Sequence, residues 1–341
     1  MSGRIVVRGS LAVVVLSLAT IAVSLAGRES AELSRGGWNE ARTAHFTVVA
    51  EGKNTAQRIA TRLESFAAIF AERGHPIPGN GTVRVVVAPG ERAFRDLAGP
   101  SFTSPESYVA VAILSPETPA MLVDLRERTD DAMSTVYRSY VQLALGLDAS
   151  ALPVWFREGM AEYYRTIGVR GVTALVGRPV KEHVYLLRDR AFIPWDEFFT
   201  YGRSDLDKLP RDVREVFQAQ AWLVVHAQFS EGAKGKRELS TLLDIRSRDQ
   251  VTELVRKAWD TDLDGVSLQM REYLKQGRLS YRQVEVMVPP AGDVKLVKVA
   301  ESDVRTWFAR AHDGAKELVG ITGTKPEEFY EYPSQRQATG R

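Results

Sequence analysis

Apolar residues change their spacing twice along this chain, and the changes divide it into regions. Residues 11–26 (LAVVVLSLATIAVSLA) form an unbroken apolar run. Between residues 45 and 125, short apolar runs alternate with turn-forming residues. Residues 45–50, 83–87, 108–114 and 121–125 read as strands, the last two separated by SPETP. Between the first two strands, Ile59, Leu63, Phe66 and Phe70 share one helical face, and Gly74 and Pro76 end it. A small sheet with a helix against it is predicted over residues 40–126.

From residue 131 to about 275 the spacing turns helical. Met133, Val136, Tyr137, Tyr140, Val141 and Ala144 make one face of a first helix, GLDASALP breaks it, and residues 154–164 restart a second. Further helices fit 213–229, 237–243, 251–259 and 266–275. Strand-like alternation returns over 283–288 and 294–299, with Pro289 and Pro290 between them. Residues 302–318 read as a last helix, and the polar residues 322–341 as a disordered tail. No internal repeat is visible.

Composition narrows the function classes. The 341 residues are 44% hydrophobic and 26% charged, ordinary for a folded protein with a real core. Lys plus Arg is 45 against 43 for Asp plus Glu, and Arg4 and Arg8 supply the two excess positives. Residues 27–341 are therefore neutral, which argues against nucleic acid as a partner. Cysteine is absent, so thiolate catalysis and cysteine metal sites are excluded. The two arginines, the apolar run and small residues before position 27 predict a secretory signal cut after Ala26. A retained membrane anchor is the competing expectation, and either places the rest of the chain outside the cytoplasm, in the periplasm or on the outer face of the inner membrane.

The most specific local pattern is LPVWFREGMAEYY at 152–164. It resembles the second signature of gluzincin metallopeptidases, W-x-x-E-G-x-A-E-Y, whose first Glu is a zinc ligand and matches Glu158 here. Trp38, HFTV at 45–48, LESF at 63–66 and AQAWLVVH at 219–226 extend the likeness. Together they resemble the peptidase MA-like domains of unknown function found in bacterial envelope proteins, over about residues 38–280. The resemblance implies an α+β, zincin or thermolysin-like fold: a small N-terminal sheet (38–126), then a mostly helical half (127–280). Residues 27–37 read as a linker and 281–321 as a strand-strand-helix extension.

The family's H-E-x-x-H helix grips zinc through two histidines one turn apart, with the Glu activating water. The matching helix here carries Arg138, Ser139 and Gln142 at those three positions. None of His45, His75, His183, His226 and His312 forms an i, i+4 pair. Zinc is therefore expected to be lost, and with it hydrolysis. Arg138 is expected to pair with Glu158 in place of the cation, with Gln142 hydrogen-bonding nearby and Tyr140 in support; Glu162 reads either as a group bracing the helix pair or as a surface carboxylate. Ser139 lacks a base, and His226 on an apolar helix reads as a core histidine.

The function expected is an inactive zinc-peptidase homologue of the envelope. By the resemblance it binds a peptide, a protein or an envelope component at a sheet edge. One alternative is an active hydrolase with other ligands, which needs Glu158, Glu162 and a histidine such as His183 or His226 to converge. Another is a structural envelope protein whose cleft has filled in. The sequence does not specify an oligomeric state.

Overall fold

The computed structural model describes residues 37–72, 74, 78, 82–99, 108–124, 130–148, 152–170, 172–276, 279–286, 294–315 and 317–322. The N-terminal segment read as signal or anchor, His75 and the tail beyond Thr322 lie outside the described residues. Strands β1 (Trp38–Arg42) and β2 (Phe46–Glu51) lead into α1 (Lys53–Glu72), β3 (Val83–Ala88), α2 (Glu91–Ala98), β4 (Tyr108–Leu114) and β5 (Ala120–Asp124). The helical half begins with α3 (Asp130–Asp148) and α4 (Val154–Tyr164). The short strands β6 (Gly168–Arg170) and β7 (Thr173–Val176) separate them from α5 (Lys181–Asp189), α6 (Trp195–Phe198) and α7 (Arg203–Lys208). Then come α8 (Arg211–Ser230), α9 (Ala233–Leu242), α10 (Arg248–Trp259) and α11 (Leu263–Lys275). Strands β8 (Arg282–Glu285) and β9 (Lys295–Val299), helix α12 (Glu301–Asp313) and strand β10 (Glu317–Thr322) follow.

The protein is mixed α+β. Among the described residues seven strands form one sheet in the order β10-β4-β5-β3-β2-β1-β9. The β2–β3 and β3–β5 pairs are parallel and the others antiparallel. Side chains alternate across a strand, and both faces here are covered, so the central strands read as continuous Val-rich runs. Val48, Val85, Val87, Ala112, Met121 and Val123 face α1 and α3 in the main core. Val49, Val86, Val111, Ile113 and Leu122 face Phe94 of α2 and Val304 and Phe308 of α12 in a second core. Strands β6, β7 and β8 form a separate three-stranded sheet.

The expected strands 45–50, 83–87, 108–114 and 121–125 are present, each within a residue. The last helix differs. It stops at Asp313, where Gly314 follows, and residues 317–322 form β10 instead of continuing the helix to 318. The run LVGIT has little helix propensity, and the unpaired edge of β4 gives it hydrogen-bonding partners. Thr322, expected to open the tail, closes that strand. Of the two expected late strands, β8 pairs with β7 in the small sheet, whereas β9 joins the main sheet beside β1, with Trp38 opposite Val299, and the unexpected β10 covers β4.

Helix α4 is the hub of the helical half, packed between α3 and α8. Pro153 precedes it, and its carbonyl accepts from the N–H groups of Phe156 and Arg157. Every α4 residue except Arg157 is buried, so the helix is apolar on nearly all sides. Trp155 within it and Trp222 on α8 are fully buried. Its two acidic residues, Glu158 and Glu162, lie one turn apart on the same face.

Candidate functional site: a buried ion-pair cluster

Glu158 and Glu162 are 3% and 0% exposed, too buried to be ionised without nearby cations. Arg138, 4% exposed on α3, lies against both. Its Nη2 donates to Glu158 Oε2 at 3.3 Å, and its Nε is 2.7 Å from Glu162 Oε1. The second contact is close, but its direction falls outside hydrogen-bond geometry, so charge attraction accounts for it. The expected Arg138–Glu158 approach is present, and Glu162 takes part as fully.

Two more arginines extend the chain of charges. Arg203, at the start of α7, donates from Nη1 to the other Glu158 oxygen at 3.0 Å, and its Nε lies 3.6 Å from Asp207. Arg165, just past the end of α4, donates from Nη1 to Glu162 Oε2 at 2.9 Å. His183 on α5 places Nε2 2.7 Å from the same oxygen. Every carboxylate oxygen of the two glutamates therefore faces a cation or a ring N–H.

Burial opposes charge on Glu162, but Arg138, Arg165 and His183 outweigh it and hold the carboxyl below the usual carboxylate range. Burial lowers the His183 pKa below its ordinary value, against the opposing pull of Glu162. His183 is accordingly neutral near pH 7, with Nε2–H donating to Glu162. Counting Asp207, the cluster sets three arginines against three carboxylates.

The other expected site residues sit apart from this cluster. Ser139 is fully buried, and its hydroxyl donates to the Thr135 carbonyl at 2.8 Å on the same helix. Gln142 is 3% exposed, and its Nε2 has no hydrogen-bond partner among the described residues, contrary to its expected pairing. Tyr140 faces α1, its ring 5.5 Å from both Phe46 and Phe66 and 5.9 Å from Phe70. Burial, and next the charge of Glu64, raises its pKa, and its hydroxyl has no partner among the described residues. It packs the core and does not support Arg138.

His226 is held in the core. Its Nε2 donates to the Gly177 carbonyl at 3.0 Å, and its Nδ1 accepts from the Tyr273 hydroxyl at 2.8 Å. Burial lowers its pKa to about 4, with the Gly177 hydrogen bond opposing the shift. The HFTV and LESF segments also meet. Glu64, 7% exposed, accepts from the His45 backbone N–H at 3.2 Å and contacts the His45 ring, tying the start of β2 to α1.

This donor set does not fit zinc. A catalytic zinc needs about three His, Asp, Glu or Cys ligands. Among the described residues no group of three or more such side chains converges to hold a metal. A guanidinium already separates the two carboxylates. Glu162 and His183 do converge, but both are buried and the carboxylate is saturated by arginines, so the pair lacks access to a substrate proton. No protein-family model matches the chain, and no curated protein matches it.

Proposed function

We propose that this chain has the build of a gluzincin-type zinc peptidase whose metal site has become a buried ion-pair junction, and that it serves the cell envelope without catalysis. The observation that carries the proposal is Arg138, whose guanidinium reaches two buried glutamates one turn apart on α4. A cation placed between two carboxylates does the electrostatic work that a metal otherwise does. The order of elements supports the same build: a mixed sheet with antiparallel β4, then β5, then the long α3, then α4 carrying Glu158.

Burial of the whole cluster favours a structural role for this site over an open groove. The outer edge of β4, the strand packed on α3, is already paired with β10. Capture of a peptide as an added strand at that edge therefore requires β10 to leave. Export to the envelope is inferred from Arg4, Arg8 and the apolar run that follows. Among the described residues no helix is long and apolar enough to cross a membrane.

The test is metal content. The full-length protein, incubated with zinc and dialysed, is expected to retain well below one zinc per chain. The combined variant Arg138→His, Ser139→Glu and Gln142→His is expected to gain about one, because it places two histidines one turn apart on α3, the first of them beside Glu158. One tightly held zinc in the unaltered protein overturns the proposal. A peptidase activity abolished by His183→Gln would instead support the hydrolase alternative.

A further inference from the structure

A cavity of 480 Å³ opens on the opposite face of the sheet from the ion-pair cluster, between β1, β2, β3 and α12. Its floor is an unusual row. Arg42 pairs with Thr47 across β1–β2, and Thr47 with Arg84 across β2–β3, so all three side chains share one face. The next row on that face, Val49 and Val86, is packed into the second core. The sheet turns polar where the cavity lies above it.

Arg84 is the group that calls for an explanation. Its guanidinium stacks 4.5 Å from the centre of the Trp307 ring on α12, which uses the flat face and leaves the edge donors unspent. Among the described residues it makes no hydrogen bond and no ion pair within bonding distance. Partial burial lowers its pKa, and the charge of Glu40 opposes that shift. Glu40 itself contacts Arg42. A half-buried guanidinium with free edge donors suits a carboxylate, which takes two parallel N–H bonds. At the rim, Glu117 and Asp303 line the cavity, and among the described residues neither has an ion-pair partner.

We propose that this cavity binds a small zwitterion, a free amino acid or a short peptide, with its carboxylate on the Arg84 edge and its ammonium group facing Glu117 and Asp303. The volume lies within the range of small-molecule pockets. A simple anion is disfavoured, because three carboxylates and two arginines line the site. The cavity shares no residue with the α3–α4 cluster, so the proposal stands independently of the function assigned there.

Isothermal titration of the full-length protein with the free amino acids and glycylglycine tests this, with N-acetylglycine, glycinamide and inorganic phosphate as controls. At least one zwitterion is expected to bind saturably, and its N-acetyl and amide forms at least tenfold more weakly. Arg84→Met, which keeps an apolar stem against Trp307, is expected to weaken binding tenfold or more with the circular dichroism spectrum unchanged. If that variant fails to fold, Asp303→Asn combined with Glu117→Gln carries the test, because both positions are exposed. That pair is expected to weaken the zwitterion and leave its N-acetyl form unaffected. Absence of saturable binding by every zwitterion, equal binding of the N-acetyl form or of phosphate, or unchanged affinity in the folded variants overturns it.

Discussion

Gly159 on α4 meets Ala221 on α8 backbone to backbone: a Cβ placed on Gly159 would lie 2.4 Å from the Ala221 carbonyl oxygen and 2.7 Å from Val225 Cγ2. The glycine lies inside a helix, where it costs about 1 kcal/mol relative to alanine, so its value here is the close approach. That approach holds α4, with Glu158 and Glu162, at its working depth. Gly159→Ala is expected to destabilise the protein by about 1–3 kcal/mol despite its better helix propensity, by forcing the helices apart. A urea titration measures this, and an unchanged midpoint would contradict the close packing.

Arg138→Met leaves Glu158 with Arg203 alone and removes one of the cations around Glu162. Breaking a buried pair from one side typically costs about 3–5 kcal/mol, because the remaining charge stays buried. The loss is expected to shrink when Glu158→Gln and Glu162→Gln are added, since amides need no counter-charge. Urea titrations of the single and triple variants check both expectations.

The pH dependence has a definite sign. The folded His226 pKa is about 4, below the ordinary value of 6.5. Between those values the unfolded chain binds the proton and the folded one does not, so stability falls as pH drops through that window. His226 alone contributes up to roughly 3 kcal/mol by pH 4. His183, lowered in the same direction, adds to it. Glu162, held low, adds a further loss below the ordinary carboxylate range. The urea midpoint is expected to fall steadily from pH 7 to pH 4.5, and His226→Gln to flatten that slope.

Ending the chain after Asp313 removes β10 and uncovers the edge of β4, a strand rich in valine, alanine and isoleucine. Open apolar edges pair with other chains. The truncated protein is expected to self-associate in sedimentation experiments where the full-length protein does not, and a monodisperse truncation would refute this.

Elements with a strong period were legible in the sequence. The alternation of β2 to β5, the helical spacing of α3 and the WFREGMAEYY pattern placed the sheet, the helices and the Arg138–Glu158 contact. The partners that arrive from a distance were not. Arg203 sits on a six-residue helix with no diagnostic spacing, and Arg165 and His183 reach Glu162 through tertiary packing that local pattern does not record. Strands β1, β6 and β7 are five residues or fewer, too short for alternation to register. The helical spacing put Tyr140 on the apolar face of α3, where it packs against Phe66 and Phe70 of α1, and its second expected role beside Arg138 fails because aromatic packing holds the ring there. Strand β10 looked helical by continuity with α12, because pairing with β4 is a non-local preference.

The main sheet draws its two outermost strands from the end of the chain: β1 near residue 38 pairs with β9, and β4 pairs with β10. Contacts this distant in sequence form late and slowly. A chain still being synthesised therefore carries a sheet with both flanks open until residues 295–322 arrive. Those residues act as a clasp that closes the sheet on both flanks.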